Sequence, residues 1–386
     1  MVRVKLVREY DELKKLADNW DWLLDQFDGG NIFLTWEWLS TWIETYLKPG
    51  QLFCLTAYKD DKLVGIAPLW VDREAVAGII PFRILKFIGS VEACPDHLDF
   101  IIRRRNSTMI AEAMWNSLFG EFSKEWHIFE YHGVSMNSKT TNIFHYLADD
   151  DYRCLKEEIR GYRICPCLSL PGSMNEFVES MDKRNRTNFR RSEKALAESG
   201  EIEFKFVEKR DDLQSAMNGM MEIHNEIWYD EKKETGFRRE RFRNFHLKLA
   251  ERLLERDMLS NCELYHNGKL AGVIYSFKFK GRIFVYIICA RRIDINDASI
   301  GRALIYRHIE RLIEEGMTEY DFLRGDEEYK YYWTNTDRRD LNITFYNRRF
   351  ASFIELAVRF SLFYLKEIVR SVIGNRQESI RKVIRS

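Results

Sequence analysis

Residues 201–207 read Glu-Ile-Glu-Phe-Lys-Phe-Val, an alternation of polar and apolar side chains whose period of two predicts a strand with one buried face. Asp211 or Asp212 can cap a helix running to about residue 229, and a second helix is expected over 239–256. Strands follow near 261–266, 270–279 and 282–289. Ser299 opens a helix that stops at Gly316, and 320–323 reads as a short strand. A polar helical turn and a strand at 341–346 complete the order β-α-α-β-β-β-α-β-α-β. The first half gives nearly the same order. Its elements are a strand at 2–7, helices at 10–27 and 36–47, and strands at 52–58, 62–71 and 83–88. An extra strand-like piece at 97–102 comes next, then a helix at 107–121 capped by Ser107. A strand at 126–131, a helix at 137–149 and a strand near 152–157 close the half.

The two halves share more than element order. Residues 62–67 are Lys-Leu-Val-Gly-Ile-Ala, and 207 residues later 269–274 are Lys-Leu-Ala-Gly-Val-Ile, each after a polar turn and an apolar strand. Two copies of one α/β unit are therefore expected, over 1–160 and 161–348. The segment joining them near 160–200 carries a capping box, Ser173-Met-Asn-Glu176, and is expected to be largely helical. Beyond it, 183–191 is strongly basic. The last piece, 349–386, is expected to be an amphipathic helix with a basic end. It either docks on the body or touches an anionic membrane surface.

Composition narrows the class. A chain of 386 residues with 45% hydrophobic and 31% charged residues has material for full globular cores. Its formal net charge of zero gives no global attraction to nucleic acid or membrane. Seven scattered Cys form neither a disulfide framework nor a zinc pattern, which suits a reducing cytoplasm. No metal is expected. The N-terminus reads as a strand with no signal-peptide core, and no apolar run approaches the length of a membrane span.

Residues 320–333 read Tyr-Asp-Phe-Leu-Arg-Gly-Asp-Glu-Glu-Tyr-Lys-Tyr-Tyr-Trp, a mixture suited to a strand end at a pocket. Asp326, Glu327 and Glu328 are candidate bases and Tyr329 a candidate acid. Asp321 and Arg324 flank the strand end, as ligand contacts or as a mutual ion pair. His224 and Trp228, four residues apart, share one helix face and line either a cleft or a core. Trp36, Trp38 and Trp42 are expected in packing. The helix start at Ser299-Ile-Gly-Arg-Ala303, with Arg291 and Arg292 before it, offers backbone N–H groups, a glycine and charge to a phosphate. The basic helix, with Arg190 and Arg191, is a second phosphate candidate or a solvated face.

The element order is that of the GNAT acyltransferase fold. In finer pattern the chain resembles the CelD/BcsL-like family, tandem GNAT-like proteins related to the Fem peptidyl ligases. The segments that carry this likeness are Phe-Leu-Thr-Trp-Glu-Trp-Leu at 33–39, Leu-Val-Gly-Ile-Ala-Pro-Leu at 63–69, Leu-Ser-Leu-Pro-Gly at 168–172, Asn-Phe-Arg-Arg at 188–191, His224 with Trp228, and 320–330. The resemblance implies an α/β tandem fold and transfer of an acyl group, acetyl first among them, from acyl-CoA. The acceptor would be an amine or hydroxyl of a cell-envelope or polysaccharide precursor. It places the CoA pyrophosphate on Ser299, Gly301, Arg302 and Ala303, although the family's Arg/Gln-x-x-Gly-x-Gly/Ala pattern has Ala298 at its first position here. It puts Lys330 where the Fem ligases carry an aromatic-Lys pair whose Lys stabilises the charged transition state; here the pair is Tyr-Lys. It implies a catalytically silent first unit, because the corresponding Arg-Arg-Arg-Asn-Ser at 103–107 lacks glycine. Two rival readings remain: aminoacyl transfer from charged tRNA, and a non-catalytic regulator of polysaccharide production.

Overall fold

The computed structural model describes residues 1–76, 80–158, 163–228, 236–292 and 299–348. The first half runs β1 (Arg3–Val7), α1 (Tyr10–Lys14), α2 (Ala17–Asp25), α3 (Trp36–Tyr46), β2 (Cys54–Lys59) and β3 (Lys62–Ala67). It continues with β4 (Leu69–Val76), β5 (Ile80–Phe87), β6 (Ile101–Ile102), α4 (Ser107–Phe119), β7 (Ile128–Ser135), α5 (Lys139–Asp150) and β8 (Cys154–Glu158). After β9 (Arg163–Ser169) come α6 (Met174–Ser180), α7 (Lys183–Glu198), β10 (Ile202–Phe206), α8 (Arg210–Ile227) and α9 (Glu240–Glu255). The chain then forms β11 (Leu259–His266), β12 (Lys269–Phe279), β13 (Arg282–Ala290), α10 (Ile300–Glu314), β14 (Glu319–Asp321) and β15 (Asp337–Asn347). The fold is mixed α/β, with two similar units. The helix expected over 10–27 is two short helices, and the strand expected over 97–102 shrinks to β6. The C-terminal helix expected over 349–386 lies outside the described residues.

The sequence repeat is a structural repeat. Both hairpins turn on two residues of positive φ, Asp60 with Asp61 and Asn267 with Gly268, the conformation of a two-residue type I′ turn. Both slip register at the matching place, Ala57/Tyr58 and Leu264/Tyr265. The shared glycine does the same work in each. A Cβ on Gly65 would lie 2.9 Å from Ile110 of α4, and one on Gly272 would lie 2.6 Å from Leu304 of α10. Each glycine therefore lets its helix lie close on the sheet.

The units exchange strands. β1, β2, β3 and β6 form a small sheet, and the other strands form one sheet of eleven. β9, which follows β8 in the chain, leaves the first unit and pairs antiparallel with β14. β15, which follows β14, returns and pairs with β7, β8 and β9. The expected helical character of the joining segment holds for α6, whose cap Ser173 accepts from the Glu176 N–H, and for α7. It fails for β9, where Pro166 argues against a central strand.

Side chains seal the same junction. Trp38 of α3 is fully buried and stacks edge-on against Phe245 at 5.2 Å and against Phe277 and Tyr286 at 5.9 Å, all in the second half. Arg252 of α9 donates to Ser40, Thr41 and Glu44 of α3. One apolar cluster runs through both halves. No helix among the described residues is long and apolar enough to cross a membrane.

Candidate active site

The site begins where two parallel strands part. β13 and β14 pair only at Arg282–Glu319, Ile283–Tyr320 and Phe284–Asp321. β13 runs on to Ala290, while the chain after β14 turns away through Leu323 (φ 56°) and Gly325 (φ 116°). On its other side β13 carries a bulge: Tyr275 opposes Ile287 and Ser276 opposes Val285, which leaves Tyr286 as the extra residue. Bulges re-aim side chains and end pairing. Beyond Phe284, β13 therefore has one edge without a strand partner among the described residues. That edge, Val285 to Ile288, lines a cavity of about 300 Å³ closed by His224, Trp228, Tyr329 and Lys330.

Lys330 is buried, and its ammonium ties the wall of the opening together. It donates to the carbonyls of Leu323 (3.2 Å), Arg324 (2.7 Å) and Gly325 (3.3 Å) and pairs with Glu327 at 2.9 Å. The Leu323 N–H in turn donates to Asp321 at 2.8 Å. Of the candidate bases, Glu327 lines the cavity, whereas Asp326 and Glu328 are exposed and do not. Tyr329 lines the cavity half-exposed. Desolvation and then the Glu327 charge push its hydroxyl above the ordinary phenol range, so it keeps its proton.

His224 stands across the opening in the last turn of α8. Its Nδ1 is buried without a hydrogen-bond partner among the described residues. Burial lowers its pKa, so the ring is neutral at pH 7. Trp228, four residues on, is exposed at the mouth.

Asp321 and Arg324 do not pair with each other. Asp321 is wholly buried, and its carboxylate holds His97 at 3.1 Å and Arg338 at 3.2 Å, which leaves a ligand no access to it. Its backbone strand is as expected; its expected place among the ligand contacts is corrected by that burial. The Arg324 N–H donates to Asp96 at 3.0 Å, and its guanidinium reaches the Cys94 carbonyl and lines the cavity.

The donor-side residues are only partly free. The Ser299 hydroxyl accepts from the Arg302 N–H at 3.3 Å and caps α10. Gly301 faces Ala290 at the end of β13, and Ala303 is buried under the helix. Arg302 lies over the Tyr332 ring at 5.6 Å. Arg291 is held by Glu222 and Glu226 of α8 and by the Leu270 carbonyl, so it is a tie between elements and not a free cation. Arg292 is exposed, and Ala298 lies outside the described residues. Arg190 and Arg191 are exposed on α7. That helix reaches the site through Asn185, whose side chain donates to the Tyr332 carbonyl at 3.0 Å.

A buried charge cluster between the units escaped the sequence reading. His97 bonds Asp340 at 2.8 Å through Nδ1 and Asp321 through Nε2. Burial opposes its charged form, but Asp340 and then Asp321 outweigh it and hold the pKa well above the usual imidazole value. Arg338 adds Glu319. The cluster fastens β15 and the 94–99 segment to the strand end that opens the site. A signal existed in Pro-Asp-His-Leu-Asp at 95–99, three ionisable residues at the head of an apolar run.

Residues 183–331 match the acetyltransferase (GNAT) domain family. The matched segment holds β13, α10, β14 and the Lys330 loop, so the parting strands lie within the stretch that is similar to that family. No curated protein matches the chain. Among solved structures, FemX superposes with a TM-score of 0.60 at 12% identity, covering 86% of this chain and 96% of that one. A conserved protein of unknown function from Bacteroides thetaiotaomicron superposes with a TM-score of 0.51 at 12% identity, covering 89% and 100%. These likenesses concern the fold.

Proposed function

We propose that the chain transfers an acyl group, acetyl first among candidates, from acyl-CoA to an amine or hydroxyl of a cell-envelope or polysaccharide precursor, as in the CelD/BcsL-like family. The observation that carries this reading is the parting of β13 from β14, which leaves an unpaired strand edge facing a cavity with a neutral imidazole and a protonated phenol. An extended thioester arm can pair with that edge, and the start of α10 at Ser299, Gly301 and Arg302 faces its phosphates. Acceptor attack forms the new C–N or C–O bond and breaks C–S. His224 takes the acceptor proton, and Tyr329 gives one to the departing thiolate. Lys330 and Glu327 hold the carbonyl wall in place; Trp228 and Arg324 stand on the acceptor side.

In this reading the first unit, 1–160, is silent. Where β5 and β7 part, after Lys86 and Glu130, Leu98 bridges Val134 and donates to the Gly133 carbonyl at 2.8 Å. One lip of the counterpart parting, on β7, is thus already taken. Calorimetry with acetyl-CoA and CoA tests the proposal. Saturable binding is expected, with Ile288→Trp abolishing it while the protein stays folded. No binding of either to folded protein would refute CoA-dependent transfer.

The exposed basic face of α7 favours a second reading, aminoacyl transfer from charged tRNA. It predicts salt-dependent tRNA binding that Arg190→Glu with Arg191→Glu removes.

A further inference from the structure

A separate cavity of about 360 Å³ lies between the units, lined in part by His97 and Arg338 of the buried charge cluster and by none of the residues that line the cavity beside β13. Two helices begin at it. α4 starts at Ser107 and α5 at Lys139, and residues 138–140 line the wall beside Ser107. The first amides of a helix have no acceptor within the helix, and its N-terminus carries partial positive charge. α4 is the more telling of the two. Its preceding residue, Asn106, sits at φ 64° and its side chain makes no capping bond. Ser107 is only 8% exposed, yet its hydroxyl has no hydrogen-bond partner among the described residues. A buried hydroxyl without a partner is costly in a settled structure.

The surrounding charge has one dominant sign. Arg104, Lys139, Arg282 and Arg338 line the cavity against the carboxylates of Asp28 and Asp99. Arg104 pairs with Asp28, and Arg338 leans on Glu319 and Asp321. Asp99 is enclosed by the Phe100 N–H and the Tyr131 and Ser138 hydroxyls. Burial pushes it up to about 7, which thins its charge. Lys139 is exposed and reaches the mouth.

We propose that this cavity is a second ligand site that takes the phosphate group of a phosphorylated small molecule. Its donors come from two helix starts and from two strands, so they converge from several directions. A tetrahedral group with three acceptor oxygens uses more of them than a planar carboxylate does. The Ser107 hydroxyl gains its missing partner, and the start of α4 gains a cap. The site does not depend on the acyl-transfer reading, because none of its residues lines the cavity beside β13.

Calorimetry of the full chain with pyrophosphate and inorganic phosphate, with acetate as the carboxylate control, tests it. Pyrophosphate is expected to bind saturably and acetate not to bind. Lys139→Glu and Ser107→Ala should each weaken binding, the former by about tenfold or more, the loss expected for one charge-assisted contact. Arg302→Glu, which removes any separate phosphate binding at the α10 start, should leave the Lys139-dependent binding in place. Binding lost in Arg302→Glu but kept in Lys139→Glu would put the phosphate at the other helix and overturn the proposal, as would no binding to folded protein. Sedimentation with phosphatidylcholine vesicles, with and without phosphatidic acid, separates the sources. Co-sedimentation that needs phosphatidic acid and Lys139 assigns the phosphate to a lipid headgroup, and its absence alongside pyrophosphate binding assigns it to a soluble molecule.

Discussion

Lys330→Met separates a lysine that holds structure from one that only meets substrate. Methionine keeps the apolar stem in its buried slot and removes the ammonium. Three carbonyls, at 2.7 to 3.3 Å, then lose a charged donor. Bonds to charged groups contribute roughly 1.5–3 kcal/mol each, but they are not additive here. Arg324 and Gly325 are partly exposed, so water replaces part of what their carbonyls lose, and Glu327 regains hydration at the surface. Leu323 is buried and its carbonyl stays unpaired. One to two such bonds remain uncompensated, which gives a loss of about 3 kcal/mol. Urea unfolding followed by circular dichroism measures it, and hydrogen exchange should show faster amides through 322–330. Activity falls with the loop. An unchanged urea midpoint and unchanged exchange, with activity abolished, would refute the structural role and return Lys330 to direct catalysis.

Other outcomes follow from the buried imidazoles. His246 sits among Phe237, Phe242, Phe245 and Tyr275, and burial, then His224, lower its pKa to about 3. Its stabilising contribution is complete above pH 6.5 and falls as the unfolded chain takes up a proton that the folded ring refuses. At pH 4 the cost is about 3 kcal/mol, so His246→Phe should flatten acid unfolding between pH 6.5 and 4. Asp99 works the other way: its raised pKa favours the folded state at low pH, and that advantage is lost as pH rises through about 7. Asp99→Asn should therefore reduce the loss of stability between pH 4 and 7 in thermal melts. His224→Gln should remove the acid limb of the pH–rate profile, which lies below the pKa of a free imidazole because burial lowers it; an intact limb would exclude His224 as the base.

Much of the fold was legible because both units write their elements in clean periods. The repeated hexapeptide pointed to hairpins that share turn conformation, bulge position and close helix approach at Gly65 and Gly272. The elements that misled did so for local reasons. Pro166 hid β9, and the helix read over 10–27 breaks after Lys14. The site was half legible. A turn at Gly325 and a pocket beside Tyr329 followed from the mixed stretch at 320–333. Sequence spacing cannot tell which charges meet across hundreds of residues. Asp321 meets His97 and Arg324 meets Asp96, each more than two hundred positions away. Arg291 looked free for the same reason, with its holders on α8, 65 and 69 positions away.

The exchanged strands also set a timetable. β7 and β8 flank a place that β15 fills, and β15 is among the last described residues of the chain. During synthesis the first unit must wait for it with two strand edges bare, an interval of about ten to forty seconds at ordinary elongation rates. Nascent chains of this protein therefore expose pairing surface for longer than their N-terminal position suggests. A copy that ends before Asp337 never closes that gap at all, so truncation late in the chain damages the half made first.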